Sequence, residues 1–241
     1  MLSIVFFVLS IIPSVLIIKW MMGRRTDDPQ YAAASKSALK KGLISVLPII
    51  GVSAVLALAK RILESTILKG LPDLTFEALN TFIVLAFAEE LVKFTMLKSV
   101  LKKEPGPYTW ADITAFMVII GTAFGLIEDI PYAIGASPVV MLIRGATMGH
   151  VGYGFMMGWL YGKGLYTGDS KFKTMAFVLP FLLHGLYDFS LTPDLLKIND
   201  NLAFIGISLA LMDVILLVLM IRFFIRSKNI DKYNEPLPSL E

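Results

Sequence analysis

The chain has no cysteine among its 241 residues and few charged side chains. The missing cysteine excludes disulfides, thiol catalysis, cysteine-ligated zinc and iron–sulfur clusters. Only 17% of the residues are charged, whereas a soluble domain carries about 25%. Hydrophobic residues make up 56% of the chain, and its mean hydropathy is +0.73. This composition argues against a soluble domain and predicts a polytopic membrane protein.

Seven apolar stretches are each long enough to cross a bilayer, which takes about 20 residues. They predict an all-α, polytopic membrane helix bundle that forms a single membrane domain over residues 1–241. The predicted spans are 1–22, 42–60, 79–97, 111–135, 138–162, 172–191 and 201–225. The mixed segment 61–78 is interpreted as an interfacial helix, and the proline-containing tail 233–241 is predicted to be disordered.

The basic residues between the spans set the predicted orientation. One set of loops contains fifteen lysines and arginines, and the opposite set contains four. Because cytoplasmic loops are enriched in basic residues, this asymmetry predicts a cytoplasmic C-terminus and an N-terminus outside. The lipid bilayer is therefore the predicted partner of the chain. The net charge of +3 predicts no nucleic-acid partner.

Histidine is scarce as well, and both histidines, His150 and His184, lie inside predicted spans. Ionisable groups at bilayer depth are costly and are rarely found there without a partner or a function. At about 1.5 Å of rise per residue, the main titratable residues of spans three to six fall within about 10 Å of one level. This set is Glu89, Glu90, Glu128, His150 and His184. Such a cluster is typical of a buried metal or proton-handling site, which we place in the core region 79–191.

Span three carries Glu89-Glu90-Leu91-Val92-Lys93. Glu89 and Lys93 are i,i+4 neighbours, and Glu90 and Lys93 are i,i+3 neighbours. One ion pair leaves the other glutamate unpaired beside a like charge, and such a carboxylate is suited to general acid–base catalysis. Of the two glutamates we favour Glu89 as the catalytic base, because Lys93 at i,i+4 is the better partner for it. An ion pair that only lowers the cost of membrane insertion is the structural alternative.

Span four carries Gly125, Glu128, Asp129 and Pro131. Gly125 allows a close helix approach, and Pro131 is predicted to break or kink the helix. Glu128 is a candidate metal ligand or base, unless it faces water at the outer interface. Asp129 lies about 100° around the helix from Glu128 and is expected to face water.

Span five carries Arg144 and His150. Glycines follow at every fourth position: Gly154, Gly158 and Gly162. They predict a close packing face that holds His150 rigidly. Arg144 is expected to pair with Glu128 or Asp129, or to hold a substrate carbonyl or carboxylate. A simple interhelical hydrogen bond is the structural alternative for His150.

Span six carries His184 and Asp188, which are i,i+4 and project from one face. This spacing suits two ligands of one metal. Asp188 would otherwise orient the imidazole as an outer acceptor. A His–Asp hydrogen bond without any metal is the structural alternative.

These four blocks together resemble the PrsW family of membrane-embedded proteases, within the CAAX-prenyl-endopeptidase-like and bacteriocin-processing group. Glu89-Glu90-x-x-Lys93 resembles the family's E-E-x-x-K, and Phe124-x-x-x-Glu128 resembles its F-x-x-x-E. Arg144 through His150 to Gly154 resembles its arginine–histidine block, and His184-x-x-x-Asp188 resembles its closing H-x-x-x-(N/D). CAAX-type relatives usually have histidine in place of Glu128 and often asparagine in place of Asp188, so this site is more acidic.

The resemblance implies an intramembrane endopeptidase of a bacterial or archaeal cytoplasmic membrane. The candidate ligands of a divalent metal, expected to be Zn²⁺, are Glu128, His150, His184 and Asp188. The candidate catalytic residues are Glu89, Glu90, Lys93 and Arg144. The implied substrate is a membrane-anchored protein or peptide, such as an anti-sigma factor, cut in the middle to outer half of the bilayer. Parts of the family are viewed as glutamate proteases, so peptide hydrolysis is implied more firmly than zinc.

A proton- or cation-coupled transporter is the alternative hypothesis. Chains of buried Glu, His and Asp serve as proton relays, and Pro131 would supply a broken helix near the site. The sequence shows no pair of repeats, which many transporters have. An inactive binding scaffold is a third hypothesis, although no acid or histidine of the four blocks is missing.

Overall fold

The computed structural model describes residues 2–70, 72–135, 137–192 and 201–237. Within these ranges the chain forms helices and contains no β-strand, which confirms the predicted all-α bundle. In chain order, the helices are α1 Leu2–Met22, α2 Pro29–Ile44, α3 Val46–Ser65, α4 Asp73–Ala78, α5 Phe87–Lys103, α6 Trp110–Gly135, α7 Pro138–Thr147, α8 Gly149–Thr167, α9 Ser170–Ser190 and α10 Asn201–Ser227. A π-helical segment, Leu79–Ala86, joins α4 to α5.

Four stretches of the described chain are long and apolar enough to cross a membrane by themselves: Phe7–Arg25, Val46–Ser65, Trp110–Pro131 and Phe204–Ser227. The remaining three predicted spans correspond to the π-helical segment together with α5, to α7–α8 and to α9. These helices carry the glutamates, histidines, lysines and glycines that lower their mean hydropathy. The candidate site therefore draws residues both from these less apolar helices and from α6 and α10, which are apolar enough to span by themselves.

Helix α2 is absent from the sequence-based prediction, which treats its lysines as part of a loop. Asp28 caps the helix, because its side chain accepts hydrogen bonds from the backbone N–H groups of the next turn. The opposite face from the lysines buries Ala34, Ala38 and Gly42. A Cβ atom on Gly42 would lie 2.7 Å from the Ala123 Cβ atom of α6, so the missing side chain permits this contact.

The segment predicted as an interfacial helix is divided differently in the structure. Residues as far as Ser65 continue α3, and a turn follows before α4 begins at Asp73. The predicted disordered tail is also ordered in part, since the Leu237 backbone N–H donates to the Tyr108 carbonyl at 2.8 Å. Residues 238–241 of that prediction lie outside the described residues.

The predicted fifth span is two helices, because the backbone turns at Met148. Met148 has a φ of 47°, in the left-handed region, and ends α7. Gly149 then begins α8. Helix α7 packs on α1, where a Cβ atom on Gly145 would lie 2.7 Å from the Ser10 Cα atom. The break therefore places His150 in the first turn of a new helix.

Helix α6 is the centre of the bundle, and its residues from Ala111 to Ala123 are buried. The glycine face of α8 packs against it, as predicted. A Cβ atom on Gly154 would lie 2.9 Å from the Met117 carbonyl oxygen, and one on Gly158 would lie 2.8 Å from the Thr114 Cα atom. Helix α6 also continues through Pro131 to Gly135, so Pro131 does not break it.

Candidate active site

Glu90, Lys93 and His184 form the most enclosed part of the site. The side chains of Glu90 and Lys93 are each 1% exposed, and Lys93 Nζ donates to Glu90 Oε1 at 2.6 Å. The same oxygen lies 2.8 Å from His184 Nδ1. One carboxylate oxygen of α5 therefore holds both a lysine and the imidazole of α9.

Glu89 is less committed to hydrogen bonds than Glu90. Its Oε2 atom is buried and has no hydrogen-bond partner in the described part of the chain. The nearest cationic groups are Lys93 Nζ at 3.7 Å and His184 Nε2 at 3.8 Å. Glu90, at i,i+3, is thus closer to Lys93 than Glu89, at i,i+4. The observed pairing therefore does not follow the i,i+4 spacing that favoured Glu89 as the base.

His150 lies between α5 and α6 and contacts a residue from each of them. Its Nδ1 atom is 3.2 Å from Lys93 Nζ, and its Nε2 atom pairs closely with Glu128. The Phe124 ring packs edge-on against the imidazole, with centroids 4.8 Å apart. A Cβ atom on Gly125 would lie 3.3 Å from His150 Cδ2, so this glycine makes room for the ring.

Arg144 pairs with both acids of span four, as expected. Its Nε atom donates to Asp129 Oδ1 at 2.8 Å, and its Nη2 atom lies 3.2 Å from Glu128 Oε2. Asp129 is only 8% exposed, so the prediction that it faces water is wrong. Arg144 of α7 covers this face of α6 and pairs with the acid there.

His184 and Asp188 face each other on α9, as their spacing predicts. His184 Nε2 lies 3.3 Å from Asp188 Oδ2. The Tyr153 ring stacks on the imidazole at a centroid distance of 5.3 Å and an angle of 22°. A Cβ atom on Gly185 would lie 2.5 Å from the Phe82 ring, so the π-helical segment also limits how His184 is positioned.

A cavity of about 60 Å³ opens beside the two histidines. Its volume exceeds the roughly 10–15 Å³ that one water needs. Residues of six helices line it, and the titratable ones are Glu128, Asp129, Arg144, His150, Tyr153, His184, Tyr187, Asp188 and Asp213. The chemistry available in this cavity is that of carboxylates, imidazoles and one guanidinium beside space for water.

Four side chains each offer a donor atom within 4.8 Å of the others: Glu89, Glu90, His150 and His184. The Lys93 ammonium lies among them, within 3.7 Å of both glutamates and 3.2 Å from His150. This cation already offsets part of the negative charge of the two glutamates on that side. A metal is better accommodated where the imidazoles face away from Lys93.

The Nε2 atoms of both histidines face carboxylates next to the cavity. His150 Nε2 meets Glu128, and His184 Nε2 meets Asp188. The two rings are 5.2 Å apart between centroids. Two imidazoles with one or two carboxylates form a donor set that zinc prefers. The types of side chain present are therefore suitable ligands for a divalent metal.

The sequence-based prediction does not include Asp213 of α10, which lines the same cavity. It is 1% exposed. The signal that could have found it is the one used for the histidines, namely an ionisable residue in the middle of an apolar span. Tyr153 is missing from the prediction too, because a tyrosine in a glycine-rich helix gives no comparable signal.

The fold and the site together define a class of protein. It is an all-α membrane bundle whose helices enclose a cluster of imidazoles and carboxylates beside a water-sized cavity. The chain belongs to the PrsW-protease family, since the model of that family, described as PrsW family intramembrane metalloprotease, matches residues 41–222. The match confirms the resemblance drawn from the four sequence blocks.

Several curated proteins named Protease PrsW are similar to this chain. The one from Shouchella clausii is 31% identical over 119 residues, which is 48% of this chain and 55% of that protein. The one from Oceanobacillus iheyensis is 30% identical over 117 residues, 47% of this chain and 54% of that protein. The one from Clostridioides difficile is 26% identical over 200 residues, 77% and 78% of the two chains.

In the first two of these matches, the chain spans about half the length of the relative. None of the solved structures matches the chain at a significant level.

Proposed function

We propose that this protein is an intramembrane endopeptidase that hydrolyses a peptide bond of a membrane-anchored protein. The observation that carries the proposal is the meeting of Glu89, Glu90, His150 and His184 around one enclosed cluster beside a water-sized cavity. Membership of the PrsW-protease family supports the same reaction. The depth of the cluster along the predicted spans favours cleavage in the middle to outer half of the bilayer.

Glu89 acts as the general base in this proposal. Both glutamates have a buried Oε2 atom without a hydrogen-bond partner among the described residues, but Lys93 and His184 hold Glu90 closely at Oε1. Glu89 makes only longer contacts with these two groups, so we assign the water to Glu89 Oε2. Glu89 removes a proton as the water oxygen attacks the carbonyl carbon, and it returns the proton to the amide nitrogen as the C–N bond breaks. The products are one new carboxyl terminus and one new amino terminus.

Glu90 and Lys93 position the imidazoles. A carboxylate that contacts the second ring nitrogen fixes the tautomer and orientation of a histidine, and Glu90 contacts His184 Nδ1 in this way. Lys93 fixes His150 in the opposite sense, because its ammonium donates to Nδ1 and leaves the ring proton on Nε2, next to Glu128. Their removal would leave two buried rings without these constraints.

Arg144 holds Glu128 and Asp129 and adds positive charge to the cavity wall. Such a charge stabilises an oxyanion that develops in a water-poor site. We assign it this role on the scissile carbonyl, in addition to orienting Glu128.

A divalent metal, with zinc as first choice, belongs in this proposal as an expected cofactor. His150 and His184 would hold it, with Glu128 and Asp188 as carboxylate ligands. A bound metal would supply an activated water and polarise the scissile carbonyl. The substrate class that we propose is a membrane-anchored regulatory protein, such as an anti-sigma factor, with a span that unwinds locally.

New protein N-termini in cells that express the chain test the activity even while the substrate is unidentified. We expect peptides that begin inside membrane spans to appear with the wild type and to disappear with Glu89→Gln. Lys60→Met is the matched control, because Lys60 forms a peripheral ion pair with Glu64 away from the site. If Glu89→Gln yields the same new N-termini as the wild type, the proposed base is wrong.

A further inference from the structure

Asp213 is a buried acid on α10 that none of the four sequence blocks contains. It is 1% exposed, and both of its carboxylate oxygens lack a hydrogen-bond partner in the described part of the chain. Buried polar groups are nearly always paired, and an ionisable group at bilayer depth is costly. Its place in the wall of the site cavity therefore calls for a function.

The helix break before His150 creates the space for this acid. A Cβ atom on Gly149 would lie 3.1 Å from Asp213 Oδ2 and 3.5 Å from Tyr153 Cε2. Gly149 therefore lets the Asp213 carboxylate and the Tyr153 ring approach the same point.

Tyr153 is the link from Asp213 to the candidate catalytic centre. Its hydroxyl is buried and, among the described residues, lacks a hydrogen bond of normal geometry, yet it interacts with the Asp213 carboxylate. Its ring stacks on His184 at 5.3 Å.

We propose that Asp213 is a positioning residue that holds His184 through Tyr153. In this arrangement the Tyr153 hydroxyl donates to Asp213, and this bond fixes the ring against the imidazole. Glu90 holds one edge of His184 at Nδ1, and the stacked Tyr153 ring holds its face. The inference rests on the proposed function, because it assumes that the orientation of His184 matters for cleavage.

The presence of only two histidines allows a direct test that needs no substrate. NMR of the full chain in detergent micelles, with histidine labelled by ¹³C and ¹⁵N in the ring, gives two sets of imidazole signals. The set that His150→Gln removes belongs to His150. We expect Asp213→Leu and Tyr153→Phe to shift the His184 signals and to leave those of His150 in place. Asp213→Asn should retain the wild-type spectrum, because its amide oxygen still accepts from Tyr153.

Leu216→Ala is the matched control for packing. Leu216 lies on the same helix, where it contacts the position of Gly152, but it has no polar group. We expect this variant to lower thermal stability without moving the His184 signals. The inference is overturned if Asp213→Leu leaves His184 unchanged, if Asp213→Asn acts like Asp213→Leu, or if both histidines move equally.

Cleavage measurements then separate this inference from the proposed function. Asp213→Leu should slow cleavage by about 10- to 100-fold, the usual effect of removing an outer partner of a site histidine. Tyr153→Phe combined with Asp213→Leu should be no slower than the worse single variant. Additive losses would overturn the inference, whereas a wild type that cleaves nothing would overturn the proposed function alone.

Discussion

Lys93 shows how this protein retains charged residues inside an apolar bundle. The ammonium is 1% exposed and contacts Glu90, Glu89 and His150, while it also lies 4.7 Å from the centre of the Phe124 ring. A buried ion pair contributes little net stability, but removal of one partner leaves an uncompensated charge. The lysine is therefore essential to a cluster that would otherwise repel itself.

Lys93→Met should destabilise the protein by about 3–5 kcal/mol, because Glu90 and Glu89 lose their buried cation. The free energy of unfolding in mixed micelles measures the effect. Lys60→Met removes a peripheral i,i+4 partner of Glu64 and should cost no more than about 0.5 kcal/mol. Equal costs for the two variants would show that the cluster does not depend on Lys93 for charge balance.

At the scale of residues, the sequence is sufficient to select most members of the candidate site. Each of these titratable residues stands out because it interrupts an apolar stretch, and matching depths place them together. The partner of each acid is harder to predict. Asp129 pairs with Arg144 of the next helix, and no side-chain spacing within one helix encodes a contact between two helices.

At the scale of helices, glycine decides which pairs approach closely. The glycines of α8 face α6, and Gly42 of α2 faces it from another side. The first set follows a spacing of four, which the sequence reveals directly. The packing face of α2 consists of alanine and glycine, and three lysines lie on the same helix. The hydrophobicity of α2 therefore resembles that of a loop, and the sequence does not reveal it as a helix.

Gly158→Ala tests the contact between α6 and α8. The added methyl would lie 2.8 Å from both the Met117 Cβ and the Thr114 Cα atoms. Such overpacking should cost about 1–3 kcal/mol of unfolding free energy. Gly51→Ala is the matched control, since nothing lies within 4 Å of its added methyl. A tolerated Gly158→Ala would contradict the close packing of these helices.

At the scale of the whole molecule, the ends of several helices meet at one end of the bundle. Arg25 Nη1 lies 2.5 Å from Asp112 Oδ2, which joins the end of α1 to the start of α6. The Trp110 ring contacts Tyr166 at the end of α8 and Tyr233 after α10. These are the loops that carry most of the basic residues, so their grouping agrees with the predicted spans.

The cytoplasmic location of this end of the bundle remains a prediction. Single introduced cysteines test it without background labelling, because the chain contains no cysteine of its own. With an outer N-terminus and seven crossings, a cysteine at Lys69 should react with an impermeant maleimide added outside intact cells. Cysteines at Lys171 and Lys228 should react only after permeabilisation. Labelling of Lys228→Cys from the same side as Lys69→Cys would contradict the predicted topology.

Hydrolysis by the purified chain in liposomes tests the proposed function most directly. The substrate is a membrane-anchored protein whose new N-terminus depends on the wild-type chain in cells. We expect cleavage inside its span, a rate at least about 100-fold lower with Glu89→Gln, and loss of activity with EDTA that zinc restores. Wild-type rates from Glu89→Gln, or cleavage only outside the span, would contradict a peptidase built on this cluster.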